Sequence, residues 1–333
     1  MKITIKEVAE RANVSPSTVS RVISNSSQIS EKTKERVREV INELNYKPNA
    51  FARSLANRKS RILGVVLPSE AQDLLLNPFF LQAMKGMSNY AKKKRYYITY
   101  AFSEDDTEEE DYIKDFINSN LIAGVCLLRV KAEDRSIDYL KKMNFPFVVI
   151  GRPEEAEGML WVDNDNFKAT YTLVNKLIQR GHSEIAFIGA KEDLTVTKDR
   201  LKGFKVACEI NGISIEDKNI IIKNEFSEED GFAAADHLMD HSKVTAIIAQ
   251  DDLLAFGTLK ALKAKGIDNV SVVGFNNSQL AEFQDPPLAS IDINATELGY
   301  YAAKVLIESL ENSTVQVNHY IVDSKLVERE SLR

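Results

Sequence analysis

Cysteine is nearly absent, with two residues in a chain of 333. Cys126 stands in the apolar run AGVCLL and Cys208 in a helical stretch, and neither has a partner at metal-ligand spacing. They read as two buried thiols in a reducing compartment. No apolar run approaches the roughly 20 residues that a membrane helix requires. The opening MKITIKEVAE also lacks the apolar core and small-residue cleavage site of a secretion signal. The expectation is a cytoplasmic chain with no membrane partner. Gly-x-Gly-x-x-Gly, the phosphate loop GxxxxGK[ST] and the nucleophile elbow GxSxG are all missing. Nucleotide-cofactor and hydrolase readings therefore have no anchor, and neither a cofactor nor an enzymatic activity is expected. His237 and His241 lie four apart, but HLMDH lacks the glutamate of HExxH and no third ligand is near, so they read as a surface pair. The acidic run from Glu104 to Asp111 lacks EF-hand spacing and its glycine, and reads as the solvated first turn of a helix.

The length suits two or three domains. With 44% apolar and 28% charged residues the chain can build real cores, which rules out disordered and fibrous classes. Charge is unevenly placed. The net charge of −6 divides into +7 over residues 1–61 and −13 over the remainder. Such a split describes a basic module that meets a polyanion, carried on an acidic body that does not.

Three short helical patterns fill the first 45 residues. Ile5, Val8, Ala9 and Ala12 mark one apolar face, with Thr4 as candidate N-cap. Asn13 breaks that pattern, and asparagine tolerates the left-handed backbone of a tight turn. Ser15 followed by Pro16 is a strong helix start, since proline's missing N–H would be unsatisfied there anyway. In the second helix Val19, Val22 and Ile23 turn inward, while Ser17, Ser20, Arg21 and Ser24 form a small, polar, basic face. A third helix opens at Ser30 and buries Val37, Val40, Ile41 and Leu44, with Lys32, Lys34, Arg36 and Arg38 expected outward. Helix, turn, capped helix and supporting helix make a helix-turn-helix, a unit that reads DNA.

The segments TIKEVAERANVSPSTVSRVIS and VREVINELNYKPNAFARSLA resemble the LacI/GalR family of transcriptional regulators. The resemblance implies base-reading roles for Pro16, Ser17 and Arg21. Among these, a guanidinium at Arg21 fits guanine O6 and N7 bidentately. It implies phosphate contacts for Thr4, Ser15, Thr18, Ser20, Ser30 and Thr33, which set register and not sequence. Residues 49–56 resemble the family's hinge helix, with Leu55 at the position that wedges into the central minor-groove step and Asn49 and Arg53 placed for backbone contacts.

From Ile62 onward short β-rich runs alternate with helical stretches. ILGVVLP, YYITYAF, IAGVCLL and FPFVVIG are followed by IAFIGA, NIIIKNEF, VTAIIAQ and VSVVGF at offsets of 123, 123, 122 and 125 residues. One α/β unit is used twice, which predicts two doubly wound parallel-sheet subdomains. The family resemblance matches this to a periplasmic-binding-protein fold with crossovers near residues 161, 291 and 320. The expected organisation is a DNA-binding domain over 1–47, a hinge helix and linker over 48–61, and two effector-binding subdomains, 62–161 with 291–320 and 162–290 with 321–333.

Such sheets bind ligands beyond the carboxyl ends of their strands. Those ends carry Pro68 and Ser69; Gly151 and Arg152; Phe226; Gln250, Asp251 and Asp252; and Asn276 and Asn277. By resemblance, Arg200 matches the family's effector-binding arginine, although a structural arginine pairing a carboxylate is the alternative. Phe226 stands where sugar-responsive members carry an aromatic ring, and Asn276 where an aspartate is usual. Asn164, Asp165 and Gln250 map to effector-contact positions. Phe79 and Phe80 either close the cleft mouth or pack a helix on the sheet. Amides, one arginine and aromatic rings suit a neutral polyhydroxyl ligand. NPFF with VVGFNNS looks most like the maltose-regulator branch of the family.

The expected function is a homodimeric, effector-controlled repressor on a near-palindromic operator, with maltose or a maltodextrin in the cleft. The alternatives are a regulator answering to a protein partner or a purine, and a solute-binding receptor.

Overall fold

The computed structural model describes residues 3–46, 60–68, 77–312 and 317–333. The chain divides into two compact units, Met1–Ser60 and Arg61–Arg333.

Three helices make the first unit: α1 (Ile5–Arg11), α2 (Pro16–Ile23) and α3 (Glu31–Glu43). Each begins on a side-chain cap that satisfies an otherwise orphaned N–H. Thr4 and Glu7 form a reciprocal capping box, Ser15 accepts from Thr18 N with Pro16 at the first helical position, and Ser30 accepts from Thr33 N. Asn13 and Asn25 adopt the left-handed turn conformation, at φ 52° and 54°. The core consists of Val8, Ala9, Ala12, Val19, Val22, Val37 and Val40. Lys34 departs from expectation: its side chain is buried, with the ammonium 2.7 Å from Glu31. It lies three residues before Val37, so the helical repeat turns it inward and leaves only its tip for an ion pair.

The second unit holds two six-stranded sheets. The first contains β1 (Ile62–Leu67), β2 (Tyr97–Phe102), β3 (Gly124–Leu127), β4 (Phe147–Ile150), β5 (Leu160–Asn164) and β11 (His319–Val322). Their spatial order is β11-β5-β4-β3-β1-β2, all parallel. The second contains β6 (Ile185–Ala190), β7 (Ile220–Lys223), β8 (Ala246–Ala249), β9 (Ser271–Phe275), β10 (Ala289–Asp292) and β12 (Lys325–Val327). It runs β12-β10-β9-β8-β6-β7, parallel except for β12 at the edge. The internal repeat thus extends from four strands to five, since β1 to β5 and β6 to β10 follow the same order; the sixth positions differ, β11 joining the first sheet parallel and β12 the second antiparallel.

Helices cover both sheets: α4 (Pro78–Lys94), α5 (Asp106–Asn118), α6 (Arg135–Lys142), α7 (Asn166–Gln179), α8 (Thr195–Ile210), α9 (Glu228–His241), α10 (Asp252–Ala264) and α11 (Ala295–Glu311). Strand centres such as Val65, Cys126, Val148, Phe187, Ile248 and Val273 are wholly buried, as parallel sheets covered on two faces require. Glycine sets the closest helix approach. A Cβ on Gly299 of α11 would stand 1.9 Å from the Ala83 carbonyl of α4, and one on Gly86 equally close to the Thr296 carbonyl.

The chain passes between the sheets three times, after β5, after β10 and after β11. The expected crossovers near 161, 291 and 320 fall inside these strands, which run on to Asn164, Asp292 and Val322. Both cysteines are buried, and burial pushes the Cys126 thiol up to about 12 and Cys208 to about 11. In the acidic run, Asp105 caps α5, yet Glu109 is buried against Ser136 and Arg129. It lies four residues before the buried Ile113, on the helix face turned to the sheet. The rings of His237 and His241 stack 4.3 Å apart on α9. Among the described residues no group of three or more ligating side chains is placed to hold a metal, and no helix is long and apolar enough to cross a membrane.

Candidate nucleic-acid interface and ligand cleft

On the first unit, α2 buries Val19 and Val22 and leaves Pro16, Ser17 and Arg21 exposed on its other side. At its start the hydroxyls of Ser15, Ser17 and Thr18 gather within 2.9 Å, where Pro16 carries no N–H and Ser15 accepts from Thr18 N. A helix N-terminus with small hydroxyls offers donors to an anion. Thr4 and Ser30 are exposed at the starts of α1 and α3, and Ser20 and Thr33 are half-buried. Arg38 donates to Asn25 Oδ1 at 3.0 Å and ties α3 to the turn after α2. Asn49, Arg53 and Leu55 lie outside the described residues, as does Ser69 of the cleft set.

In the second unit a cavity of about 120 Å³ opens between the sheets, beyond the carboxyl ends of their strands. Phe79, Asn164, Arg200, Phe226, Gln250 and Asn276 line it together. Phe79 meets Phe80 edge-on with centroids 5.0 Å apart, and both face the cavity although Phe80 also belongs to the core. Arg152 and Asp165 do not line it. The exposed Arg152 side chain lies over the Trp161 ring, and only its backbone N–H turns inward, to Asp163. Asp165 is spent capping α7 through Lys168 N. Both follow from local geometry at a strand end or helix start that strand-end position alone does not specify.

Arg200 is buried on α8. It donates Nε to Asn166 Oδ1 at 2.9 Å and Nη1 to the Gln250 carbonyl at 2.6 Å, with its guanidinium 4.1 Å from the centre of the Phe275 ring. Nη2 makes no hydrogen bond to a described residue, so one fork of the guanidinium is left for the cavity. Burial lowers its affinity for the proton to about 10, against the pull of Asp163, Asp251 and Asp252, and it remains a cation at neutral pH. Asp163 and Asp251, which also line the cavity, are pushed up to about 6 by burial, and neighbouring Asp252 to about 7.

The amides are less symmetric than their formulae. Gln250 has both side-chain ends engaged, Oε1 accepting from Ala190 N and Nε2 donating to Thr197 Oγ1. Asn276 donates Nδ2 to Asp251 Oδ2 at 2.6 Å, and Asn164 donates Nδ2 to the carbonyls of Ile293 and Val322. In both asparagines it is the oxygen that remains without a donor among the described residues. The cavity therefore offers carbonyl oxygens and one guanidinium edge, flanked by phenylalanine rings.

Asp163 and Asn166 were missed by strand-end reasoning. Asp163 accepts from Arg152 N, Asn164 N and Asn166 Nδ2, and Asn166 in turn holds Arg200. The signal that could have found them is the alternation of acid and amide in DNDN, residues 163–166. The two subdomains also meet through backbone, Ala132 N donating to Asp193 O and Thr195 N to Val130 O, and through the side-chain ion pair of Lys198 with Glu154.

The sequence profile of the bacterial regulatory proteins of the lacI family matches residues 4–49, and that of a periplasmic binding protein-like domain matches residues 174–332. Over 317 residues the chain is 35% identical to the HTH-type transcriptional regulator MalR of Streptococcus pneumoniae, covering 94% of each. The chain belongs to the lacI family. This lacI-family regulator shares its fold with the putative transcriptional regulator LacI from Bacillus cereus subsp. cytotoxis, at TM-score 0.79 and 38% identity over 82% of this chain and 99% of that one. It is also similar to the transcriptional regulator in the CelR–cellobiose complex, at TM-score 0.77 and 28% identity over 99% of each chain. As a lacI-family member it is a DNA-binding transcriptional regulator, and its relatives bear the names of regulators, not of enzymes.

Proposed function

We propose that this regulator is a dimeric repressor whose hold on a near-palindromic operator is set by a small neutral polyhydroxyl effector, a glucose disaccharide or oligosaccharide such as maltose, bound between the two sheets. The observation that carries the effector class is the cavity lining. A sugar's hydroxyls are donors as well as acceptors, and Asn164 Oδ1 and Asn276 Oδ1 accept while the Arg200 edge donates. Phe79 and Phe226 supply apolar faces for a pyranose ring. The similarity to MalR of Streptococcus pneumoniae and to a regulator bound to cellobiose points to the same class.

On the DNA side, Arg21 reads a guanine, Pro16 and Ser17 shape the same contact, and Ser15, Thr18, Ser20, Thr4, Ser30 and Thr33 hold phosphates. Leu55 acts in the minor groove, and Asn49 and Arg53 hold phosphates beside it.

The test is the thermal shift of the purified full-length protein with maltose, longer maltodextrins, cellobiose, galactosides and purine bases. A ligand at 100 times its Kd adds about 2.7 kcal/mol to the native state. A shift confined to glucosides is expected. A shift with a purine alone, or with none of the panel, overturns the sugar assignment and leaves DNA binding untouched.

A further inference from the structure

Asn164 ends β5, at the first of the three crossings between the sheets. Its Nδ2 donates to Ile293 O at 3.0 Å and to Val322 O at 2.8 Å. Ile293 immediately follows β10 and Val322 ends β11, so each carbonyl belongs to one of the other two crossings. One buried side chain therefore ties all three crossing segments together.

An amide nitrogen has two hydrogens, and here both are committed. Two carbonyl acceptors also fix which way the amide faces, because its oxygen has nothing to accept from them. Oδ1 is thereby directed away from the crossings, and Asn164 lines the cavity. A hydrogen-bonded relay runs on from the same residue. Asn164 N donates to Asp163 Oδ1, which also accepts from Asn166 Nδ2, and Asn166 Oδ1 receives Arg200 Nε.

We propose that Asn164 is the positioning residue that transmits cleft occupancy to the crossings: Oδ1 takes a ligand hydroxyl while Nδ2 sets the spacing of the Ile293 and Val322 segments. This rests on the cleft being the effector site. Rotation of one sheet against the other must alter how the three segments lie side by side. A buried amide left without its two acceptors is costly, so the amide favours one arrangement. A hydroxyl held on Oδ1 adds a partner that exists only when that arrangement and the ligand coincide, and such a difference between states is what shifts a population.

The experiment uses the full-length protein, with maltose as probe and a DNA site selected from random duplexes by the unsubstituted protein. Asn164→Ala removes both functions, and Asn164→Asp keeps an acceptor and the volume but removes both donors. Operator affinity without sugar is measured in each variant as the reference for the ratio, because the amide also biases the resting arrangement. The ratio of operator affinities with and without saturating maltose should fall to within about twofold of one, against typical couplings of about 5- to 150-fold. A variant that keeps the full ratio at saturating maltose overturns the proposal.

Hydrogen exchange on the unsubstituted protein tests the same idea without a variant. Maltose should slow exchange in peptides spanning 160–167, 290–297 and 320–326 together, and protection confined to the first overturns it. Failure of the unsubstituted protein to bind any glucoside is a distinct result that overturns the cleft reading itself, and the proposal with it.

Discussion

Asn276, held in the left-handed region at φ 97°, gives its amide to Asp251 Oδ2 across 2.6 Å. The same carboxylate caps α10 through Leu253 N at 2.7 Å. One buried acid thus orders a helix start with one oxygen and orients a cleft amide with the other.

Asp251→Asn should separate those two roles. The new amide can still cap α10 through its oxygen, but its NH₂ confronts that of Asn276 and turns it, presenting a donor where the cavity had an acceptor. Maltose affinity should fall about tenfold, in line with a net hydrogen bond of about 1–1.5 kcal/mol. Calorimetry checks this, with the melting temperature expected to move little. The unsubstituted protein should show a related pH effect. Since Asp251 is pushed up to about 6, maltose binding should weaken as pH falls through that value.

Stability should also depend on pH in an uncommon direction. Burial raises the folded-state values of Asp163, Asp251 and Asp252 above the ordinary carboxylate range, so between about pH 4 and 7 the native state holds more protons than the unfolded chain. Stability contributed by these groups therefore declines as pH rises through that window. Carboxylates lowered by partners, such as Asp106 beside Lys131 and Arg129 and Asp285 beside Lys263, act oppositely and only at lower pH. The melting temperature should be higher near pH 5.5 than at pH 8. Asp252→Asn should flatten the slope, because an amide can accept from Ser278 N and donate to Ser290 Oγ without carrying charge. An unchanged slope in that variant would remove Asp252 from the explanation.

Arg21→Ala should cost about 1–3 kcal/mol of discrimination between operator and scrambled duplex while leaving the three-helix fold intact. Its side chain is exposed and outside the Val8, Val19 and Val37 core. Binding titrations on both duplexes measure this, and circular dichroism verifies the fold. Affinity for either duplex should fall steeply with salt through the phosphate contacts of the +7 segment, and a flat dependence would count against it.

Gly299→Ala should destabilise the second unit by about 1–3 kcal/mol, since the added methyl would press on the Ala83 backbone. A backbone carbonyl cannot swing aside as a side chain can, so α4 and α11 must separate. Denaturant midpoints for this variant and for Gly86→Ala should fall together. A neutral result would mean that the helices tolerate a wider spacing than the structure shows.

Much of this was legible in the chain itself because the signals are short-ranged or repeated. Thr4, Ser15 with Pro16, and Ser30 announce helix starts within four residues of the N–H groups they satisfy. The paired apolar runs announce a duplicated parallel sheet. The inward turn of Lys34 and of Glu109 was legible in principle too, since each lies on the apolar face of its helix, but charge weighed against it.

Tertiary structure alone decided what the cleft residues offer. A sequence shows an asparagine at 164 and another at 276; it does not show which end of each amide is already used. That is settled for Asn164 by carbonyls 129 and 158 residues away, and for Asn276 by a carboxylate 25 residues away. Arg152 sits at an expected strand end and Asp165 at a position the family resemblance assigned to the effector, and yet both face elsewhere, held by Trp161 and by a helix N-terminus. Caps and periodicity are local and survive in one dimension, whereas the free valence of a buried polar group depends on every neighbour that folding brings to it.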